Sequence, residues 1–242
     1  MTLWSVIASR YAKVSDDVRQ VFLHPAIIDV VQGQCSKFED CLDFGCGPGD
    51  LALGLEKLFV RLILVDQAVG ALDECSGKFG SRAEILDPET FELHEGLFDA
   101  VILSLVLTTV EDDDEARCLL KKLCGRLKPD GRIIIGTTHP CFTFQALNQV
   151  PYHASGSPYR VVIEEGLEIT EYHRPLDKIY NLLNEAGLSV VNTREVYDSI
   201  EYYQTKAEEP RRFAGQFPMF LVLTCCRAIV GPGQQMARPH EL

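Results

Sequence analysis

The pattern of apolar and polar positions along the chain changes character near residue 40. From Cys41 onward, short apolar runs alternate with segments whose apolar residues recur at helical spacing. Five of the runs have the length expected of strands: 41–44, 61–65, 83–86, 98–103 and 132–138. Strands separated by helices are typical of a parallel sheet covered on both faces. The pattern therefore predicts a doubly wound α/β sheet.

The segments around this alternation are less regular. Residues 1–40 predict an N-terminal helical cap, whose second helix (18–31) should be broken by Pro25. Residues 140–170 mix prolines and glycines with aromatic residues, which indicates a substrate lid with irregular strands. The polar, glycine- and proline-rich tail, 231–242, is expected to be flexible.

The C-terminal part returns to a regular pattern. Pro175 should begin a helix that Gly187 ends. Residues 188–196 and 219–227 predict two strands with no helix between them, which is typical of an antiparallel pair at a sheet edge.

Composition limits the classes of protein that fit this pattern. The 242 residues, 46% of them hydrophobic, suffice for a full core and predict a single domain, 1–242. A formal net charge of −12 disfavours nucleic acid and anionic membranes as partners. Nine cysteines without a signal-peptide pattern or metal-ligand spacing indicate reduced thiols and a cytoplasmic location. Oligomeric state, monomer or homodimer, stays open.

The strongest functional pattern is the glycine-rich turn after the first predicted strand. Gly45, Gly47 and Gly49 alternate there, and glycines at such a turn let a ligand approach the backbone closely. The second predicted strand ends in Asp66, which could accept hydrogen bonds from a ribose diol. Asp50 occupies the place of the third dinucleotide-loop glycine, where it would repel a pyrophosphate. These residues predict a nucleoside-containing cofactor without phosphates.

The segment Leu42-Asp43-Phe44-Gly45-Cys46-Gly47-Pro48-Gly49 resembles the glycine-rich motif of class I S-adenosylmethionine-dependent methyltransferases. Phe98-Asp99, the segment 127–132 and Glu185-Ala186-Gly187-Leu188 are also similar to the small-molecule, ubiquinone/menaquinone-methyltransferase-like branch. The resemblance implies a Rossmann-like seven-stranded sheet of order 3-2-1-4-5-7-6 with the last strand antiparallel. It implies S-adenosyl-L-methionine as cofactor and S-adenosyl-L-homocysteine as product. The residues expected to bind that cofactor are Tyr11, Asp43, Gly45, Cys46, Gly47, Asp66, Gln67, Asp87, Ser104 and Leu105.

A small organic acceptor is expected on the other side of the site. Relatives often have a histidine shortly after 104–107, where this chain has Thr108-Thr109. His139, at the end of the fifth predicted strand, is therefore the candidate general base, because a histidine titrates near neutral pH. A base favours O-methylation over N- or C-methylation. Tyr152, His153 and His173 are candidates for substrate contact, and for all four a packing role is the alternative.

Three further alternatives concern chemistry. The acidic run 111–115 could hold a metal, but consecutive carboxylates point in different directions and suit a helix N-terminus, so no metal is expected. The second alternative is a nicotinamide-dependent oxidoreductase, whose cofactor also binds at a glycine-rich turn after a strand. A non-catalytic S-adenosylmethionine-binding subunit of a partner enzyme is the third.

Overall fold

The computed structural model describes residues 17–145, 150–164, 167–206 and 214–228. Its centre is a seven-stranded sheet of order β3-β2-β1-β4-β5-β9-β8. The strands are β1 (Asp40–Phe44), β2 (Arg61–Val65), β3 (Glu84–Leu86), β4 (Phe98–Ser104), β5 (Leu127–Thr138), β8 (Leu188–Val196) and β9 (Phe220–Arg227). β1 to β5 are parallel, and β9 is antiparallel to both β5 and β8. Because β8 and β9 are the sixth and seventh strands of this sheet in chain order, the predicted order and antiparallel last strand are confirmed.

Helices cover both faces of the sheet. They are α1 (His24–Gln34), α2 (Ala52–Leu55), α3 (Val69–Phe79), α4 (Pro88–Leu93), α5 (Asp113–Gly125), α6 (Pro140–Gln145), α7 (Leu176–Glu185) and α8 (Ile200–Thr205). α8 corrects the prediction that no helix lies between the last two strands. It is a short helix begun by Ser199, whose hydroxyl accepts a hydrogen bond from Tyr202 N.

Alternating strand residues divide the core into two layers. Cys41 and Ile102 pack with α1, α2 and α3 on one face, while Leu42 and Leu103 pack with α4, α5 and α7 on the other. Successive side chains of a strand point to opposite faces, so each strand contributes to both layers. The continuous apolar runs that predicted buried parallel strands have this origin.

The helix before the sheet is not broken at Pro25, contrary to the sequence prediction. A π-helical segment (Arg19–Leu23) precedes α1, and Pro25 lies in the first turn of α1. In the π-helical segment the N–H of His24 donates to Arg19 O, five residues back. Proline lacks an N–H and is tolerated at the start of a helix, so the wider turn accommodates it without interrupting the helix. Residues 1–16 lie outside the described part of the chain.

The predicted lid, 140–170, is more regular than expected. It contains α6 and a hairpin of β6 (Pro158–Glu164) and β7 (Leu167–Tyr172), which form a separate two-stranded antiparallel sheet. The predicted tail, 231–242, lies outside the described residues. Within the described ranges, no helix has the length and apolar character needed to cross a membrane.

Candidate active site

The glycine turn after β1 has the backbone that its sequence predicts. Gly45, Gly47 and Gly49 all have positive φ, at 74°, 53° and 82°. A Cβ atom at Gly45 would come within 2.4 Å of the Val106 side chain, whereas one at Gly47 would meet no atom within 4 Å. The first glycine is therefore required by packing against the segment after β4, and the second leaves open space beside the backbone.

Asp66, at the end of β2, holds this turn in place. Its Oδ2 accepts a hydrogen bond from Gly47 N and its Oδ1 accepts one from Ala68 N, both at 2.8 Å. Burial raises the pKa of Asp66, although backbone N–H donors partly oppose the shift. The carboxylate thus links the two turns and remains in the wall of the adjoining cavity.

Asp43 is the most unusual polar residue of the site. It is buried, and neither carboxylate oxygen has a hydrogen-bond partner among the described residues. Burial and then the negative charge of Asp66 raise the pKa of Asp43 to about 7. Burying a carboxylate without a partner is costly, so this position is favourable for a ligand that brings donors or positive charge.

A cavity of about 540 Å³ lies along the carboxyl ends of β1, β2 and β4. It brings together eight of the predicted cofactor residues: Asp43, Gly45, Cys46, Gly47, Asp66, Gln67, Ser104 and Leu105. Asp87 is placed differently, since its carboxylate caps α4 by accepting from Thr90 N and Thr90 Oγ1. Tyr11 lies outside the described residues.

The end of β4 contributes a strained residue to the cavity wall. Leu105 has a φ of 59°, a left-handed backbone that residues other than glycine rarely adopt. Leu105 N donates to Gly136 O, and Leu105 O accepts from the Thr108 hydroxyl at 2.9 Å. Backbone strain held by surrounding bonds occurs preferentially at functional sites.

Asp50 is braced rather than directed at a ligand. The Oδ1 atom of Asp50 lies 2.6 Å from Lys78 Nζ, which also donates a hydrogen bond to Pro48 O. The Oδ2 atom of Asp50 accepts a hydrogen bond from Gln20 Nε2. These contacts join α3, the glycine turn and the N-terminal helix. The sequence reading of Asp50 as unfavourable to a pyrophosphate did not foresee this lysine.

His139 is placed at the N-terminal end of α6 and is buried. Its Nδ1 accepts from Cys141 N at 3.1 Å, and its Nε2 lies 3.4 Å from Glu195 Oε1 on β8. Burial lowers the pKa of His139, while Glu195 acts in the opposite direction. The ring is therefore directed at the sheet edge formed by β8, away from the residues that line the large cavity.

The predicted substrate residues are spread over a neighbouring region. His173 has both ring nitrogens engaged, Nδ1 with Thr143 Oγ1 and Nε2 with Tyr152 O, each at 2.7 Å. The Tyr152 ring packs edge-on against His173. His153 is exposed. The structure thus gives His173 and Tyr152 contacts with each other beside the large cavity.

Sequence reasoning missed Glu171, which lines the large cavity from β7. Glu171 is buried, and its Oε2 accepts from Thr138 Oγ1 at 2.9 Å and from the Tyr159 hydroxyl. A signal was present, because Ile169 and Glu171 alternate with polar residues and lie on one face of a strand. The irregular composition around them hid that alternation.

The acidic run after β4 begins a helix, as predicted. Asp112 caps α5 by accepting from Asp114 N and Glu115 N, and Asp113 pairs with Arg174 and Lys178. In the part of the chain that is described, no group of three or more histidine, cysteine or acidic residues is arranged to hold a metal ion.

Comparison with known proteins agrees with this architecture. Residues 42–135 match the family described as Methyltransferase domain. The solved structure of an S-adenosylmethionine-dependent methyltransferase from Clostridium acetobutylicum ATCC 824 is similar, with 17% identity, a TM-score of 0.63 and coverage of 94% of this chain and 100% of that chain. A structure described as the DhpI-SAM-HEP complex has 16% identity, a TM-score of 0.66 and coverage of 92% and 93%. The CcbJ methyltransferase from Streptomyces caelestis has 15% identity, a TM-score of 0.61 and coverage of 85% and 95%.

No curated protein matches the chain in sequence. The fold and the matched region nevertheless define a class: the chain has the fold of S-adenosylmethionine-dependent methyltransferases. Residues 42–135 match the methyltransferase domain family, and the resemblance to class I enzymes stated from the sequence is confirmed.

Proposed function

We propose that the protein transfers a methyl group from S-adenosylmethionine to a small organic acceptor. The observation that carries the proposal is the buried carboxylate of Asp43, which lacks a partner among the described residues and lies in the cavity wall. A ligand with N–H donors and positive charge would compensate the cost of burying it. S-adenosylmethionine has an ammonium and a sulfonium, and it lacks the phosphates that Asp43 and Asp66 would repel.

The residues of the cavity suggest how the cofactor is held. Asp43 accepts hydrogen bonds from the ammonium of the methionine portion, directly or through water. Asp66, already oriented by Gly47 N and Ala68 N, accepts from the ribose hydroxyls. The open space beside Gly47 allows the ligand to approach the backbone. Tyr11 and Asp87 remain predictions as cofactor contacts, and Asp87 would have to share its carboxylate with the cap of α4.

Methyl transfer makes modest chemical demands on the protein. When bound, the cofactor supplies a methyl group that its sulfonium has already activated toward in-line displacement. The cavity walls have to hold the acceptor in line and to exclude water. An oxygen acceptor is our preference over nitrogen or carbon, because the site has candidate bases for a hydroxyl proton. His139 as that base remains a prediction from the sequence.

Two other functions would give different binding behaviour. A nicotinamide-dependent oxidoreductase would have to place a pyrophosphate beside the carboxylates of Asp43 and Asp66, which is electrostatically unfavourable. A non-catalytic subunit would bind S-adenosylmethionine but transfer no methyl group without its partner.

Calorimetric titration with S-adenosylmethionine, S-adenosylhomocysteine and NADH tests the proposal. We expect micromolar binding of both adenosyl ligands and none of NADH. Asp43→Asn keeps the side-chain shape but removes its charge, and it should weaken the adenosyl ligands by about 10- to 100-fold. Binding of NADH alone, or of neither adenosyl ligand, would refute the proposal. Radiolabelled methyl transfer to a panel of small acceptors then separates an enzyme from a binding subunit.

A further inference from the structure

The large cavity has a second titratable wall, formed by the hairpin rather than by the glycine turn. Glu171 of β7 is only 3% exposed. Its Oε2 accepts hydrogen bonds from Thr138 at the end of β5 and from Tyr159 on β6. One carboxylate thus connects the central sheet to both strands of the hairpin, and the two bonds fix its orientation.

The other oxygen of Glu171 is available to a ligand. The hydroxyl of Thr108 is near enough to lower the pKa of Glu171, but it donates to Leu105 O at 2.9 Å. In the described ranges, the two hydrogen bonds that reach the carboxylate both go to Oε2, and no cation lies within ion-pair distance, although the positive charge of Arg19 also lowers the pKa of Glu171. Burial is the dominant influence and raises the pKa of Glu171. A carboxyl group with one oxygen fixed and a raised proton affinity is suited to accept a proton.

Charge around Glu171 restricts what can bind beside it. Glu111 and Glu115 line the same cavity, and the hydroxyl of Tyr172 donates to Glu111 Oε2 at 3.2 Å. Arg19, a cation in this wall, forms an ion pair with Asp17. Carboxylates outnumber cations among the described residues of this wall, so an acceptor with a carboxylate or phosphate would be repelled, whereas a neutral or cationic acceptor would not.

We propose that Glu171 binds the nucleophilic O–H or N–H of the acceptor through Oε1 and takes its proton during methyl transfer, and that the acceptor is neutral or cationic. In this step the acceptor lone pair forms the bond to the methyl carbon. The carbon–sulfur bond breaks with its electrons going to sulfur, and the acceptor proton moves to Glu171. Tyr159 and Thr138 are positioning residues, because they act through the carboxylate. This inference rests on the proposed function.

Three matched phenols test the charge selection without requiring turnover. Tyramine is cationic, 4-methylphenol neutral and 4-hydroxyphenylacetate anionic, while all present the same hydroxyl. Calorimetry would be performed with the S-adenosylhomocysteine complex of the whole chain. We expect tyramine and 4-methylphenol to bind at least about 10-fold more tightly than the anion. Glu171→Gln should reduce the preference for tyramine over 4-hydroxyphenylacetate, since it removes one negative charge from the wall.

Glu168→Gln is the matched control, because Glu168 lies on the same strand with an exposed side chain. It should leave all three affinities unchanged. Tighter binding of the anion, binding of none of the phenols, or equal selectivity in wild type and Glu171→Gln would overturn the inference. Titration of each variant with S-adenosylhomocysteine separates this failure from failure of the proposed function, which would appear as loss of cofactor binding in the wild type.

The proton-transfer role has its own measurement. With tyramine as acceptor, Glu171→Gln should lower kcat by about 100-fold or more and leave cofactor affinity unchanged. Tyr159→Phe keeps the carboxylate but removes one donor to it, so it should raise the pKa seen in the pH profile of kcat. An unchanged kcat in Glu171→Gln, with circular dichroism showing an intact fold, would overturn the role as base.

Discussion

The two halves of the large cavity are built in different ways. The half proposed to bind the cofactor, called the cofactor half, is formed by strand ends and turns that are close in sequence: Gly45 and Gly47 follow β1, and Asp66 follows β2. The half proposed to bind the acceptor, called the acceptor half, is formed by an insertion, where Glu171 of β7 meets Thr138, 33 residues earlier in the chain. Backbone geometry dominates the first half, and side-chain contacts between distant segments dominate the second.

This difference implies that the two halves respond differently to substitution. In the cofactor half, carboxylates face a ligand whose charges are fixed by the chemistry of methyl transfer. In the acceptor half, carboxylates are proposed to select neutral or cationic acceptors over anionic ones. Changes in the first half should therefore remove cofactor binding, while changes in the second should alter acceptor selectivity and rate.

The largest effect is expected for Asp66→Ala. It removes the acceptor of Gly47 N and Ala68 N as well as the proposed ribose contact, so S-adenosylmethionine affinity should fall by about 100-fold or more. Calorimetry measures the change, and Asp73→Ala, an exposed position on α3, is the control. Normal affinity in Asp66→Ala would remove Asp66 from the cofactor site.

A second prediction concerns pH and separates Asp43 from the rest of the cofactor half. With a pKa of about 7, Asp43 is ionised above that pH and protonated below it. Affinity for S-adenosylhomocysteine should therefore fall as pH decreases below 7, by up to about 10-fold per unit. Titrations between about pH 5.5 and 7.5 keep the ligand amino group largely protonated.

Asp66 and His24 are the neighbouring groups whose titration bears on this pH test. Burial raises the pKa of Asp66 too, whereas His24 in the same cavity has a pKa of about 4 and stays neutral. Asp43→Asn should flatten the dependence. If the variant retained the wild-type slope, the titrating group would be another residue and Asp43 would lose its proposed role.

The smallest effect is expected for His139→Asn. The asparagine oxygen can replace Nδ1 as acceptor for Cys141 N, and the ring lies toward Glu195 rather than in the large cavity. Turnover should therefore change by less than about 3-fold, in contrast to Glu171→Gln. A fall of about 100-fold in kcat with an intact fold would instead support His139 as the general base and weaken the case for Glu171.

Much of the fold was predictable because its signals are local. Strands β1, β2 and β4 coincide with short apolar runs of the sequence. Helix α7 lies between Pro175 and Gly187, whose φ is 79°. The π-helical segment before Pro25 could not be predicted, since its i to i−5 bonding depends on how the helix packs. Irregular strands were predicted in 140–170, but their pairing into a regular hairpin was not, because these strands pair with each other and not with the main sheet.

The residues of the site also divide into those that were predictable from the sequence and those that were not. Asp43, Gly47 and Asp66 come together because the carboxyl ends of parallel strands lie at one edge of the sheet, a rule that can be applied to the sequence alone. The direction of a side chain in an inserted segment follows no such rule. His173 was therefore predicted from its chemistry alone, and in the structure both of its ring nitrogens form hydrogen bonds, with Thr143 and with Tyr152 O. Glu171, two residues earlier, lines the large cavity instead.

The two junctions of the insertion between β5 and α7 lie close together. Its entry at Thr138 and Pro140 and its exit at Arg174 line one small cavity, so both junctions lie at the same edge of the sheet. Arg174 fixes the exit by donating to the carbonyl oxygens of Leu107 and Val110. We therefore expect changes in sequence or length between the junctions to leave the register of the main sheet unchanged, so that this segment can diverge independently of the strand ends that line the rest of the cavity.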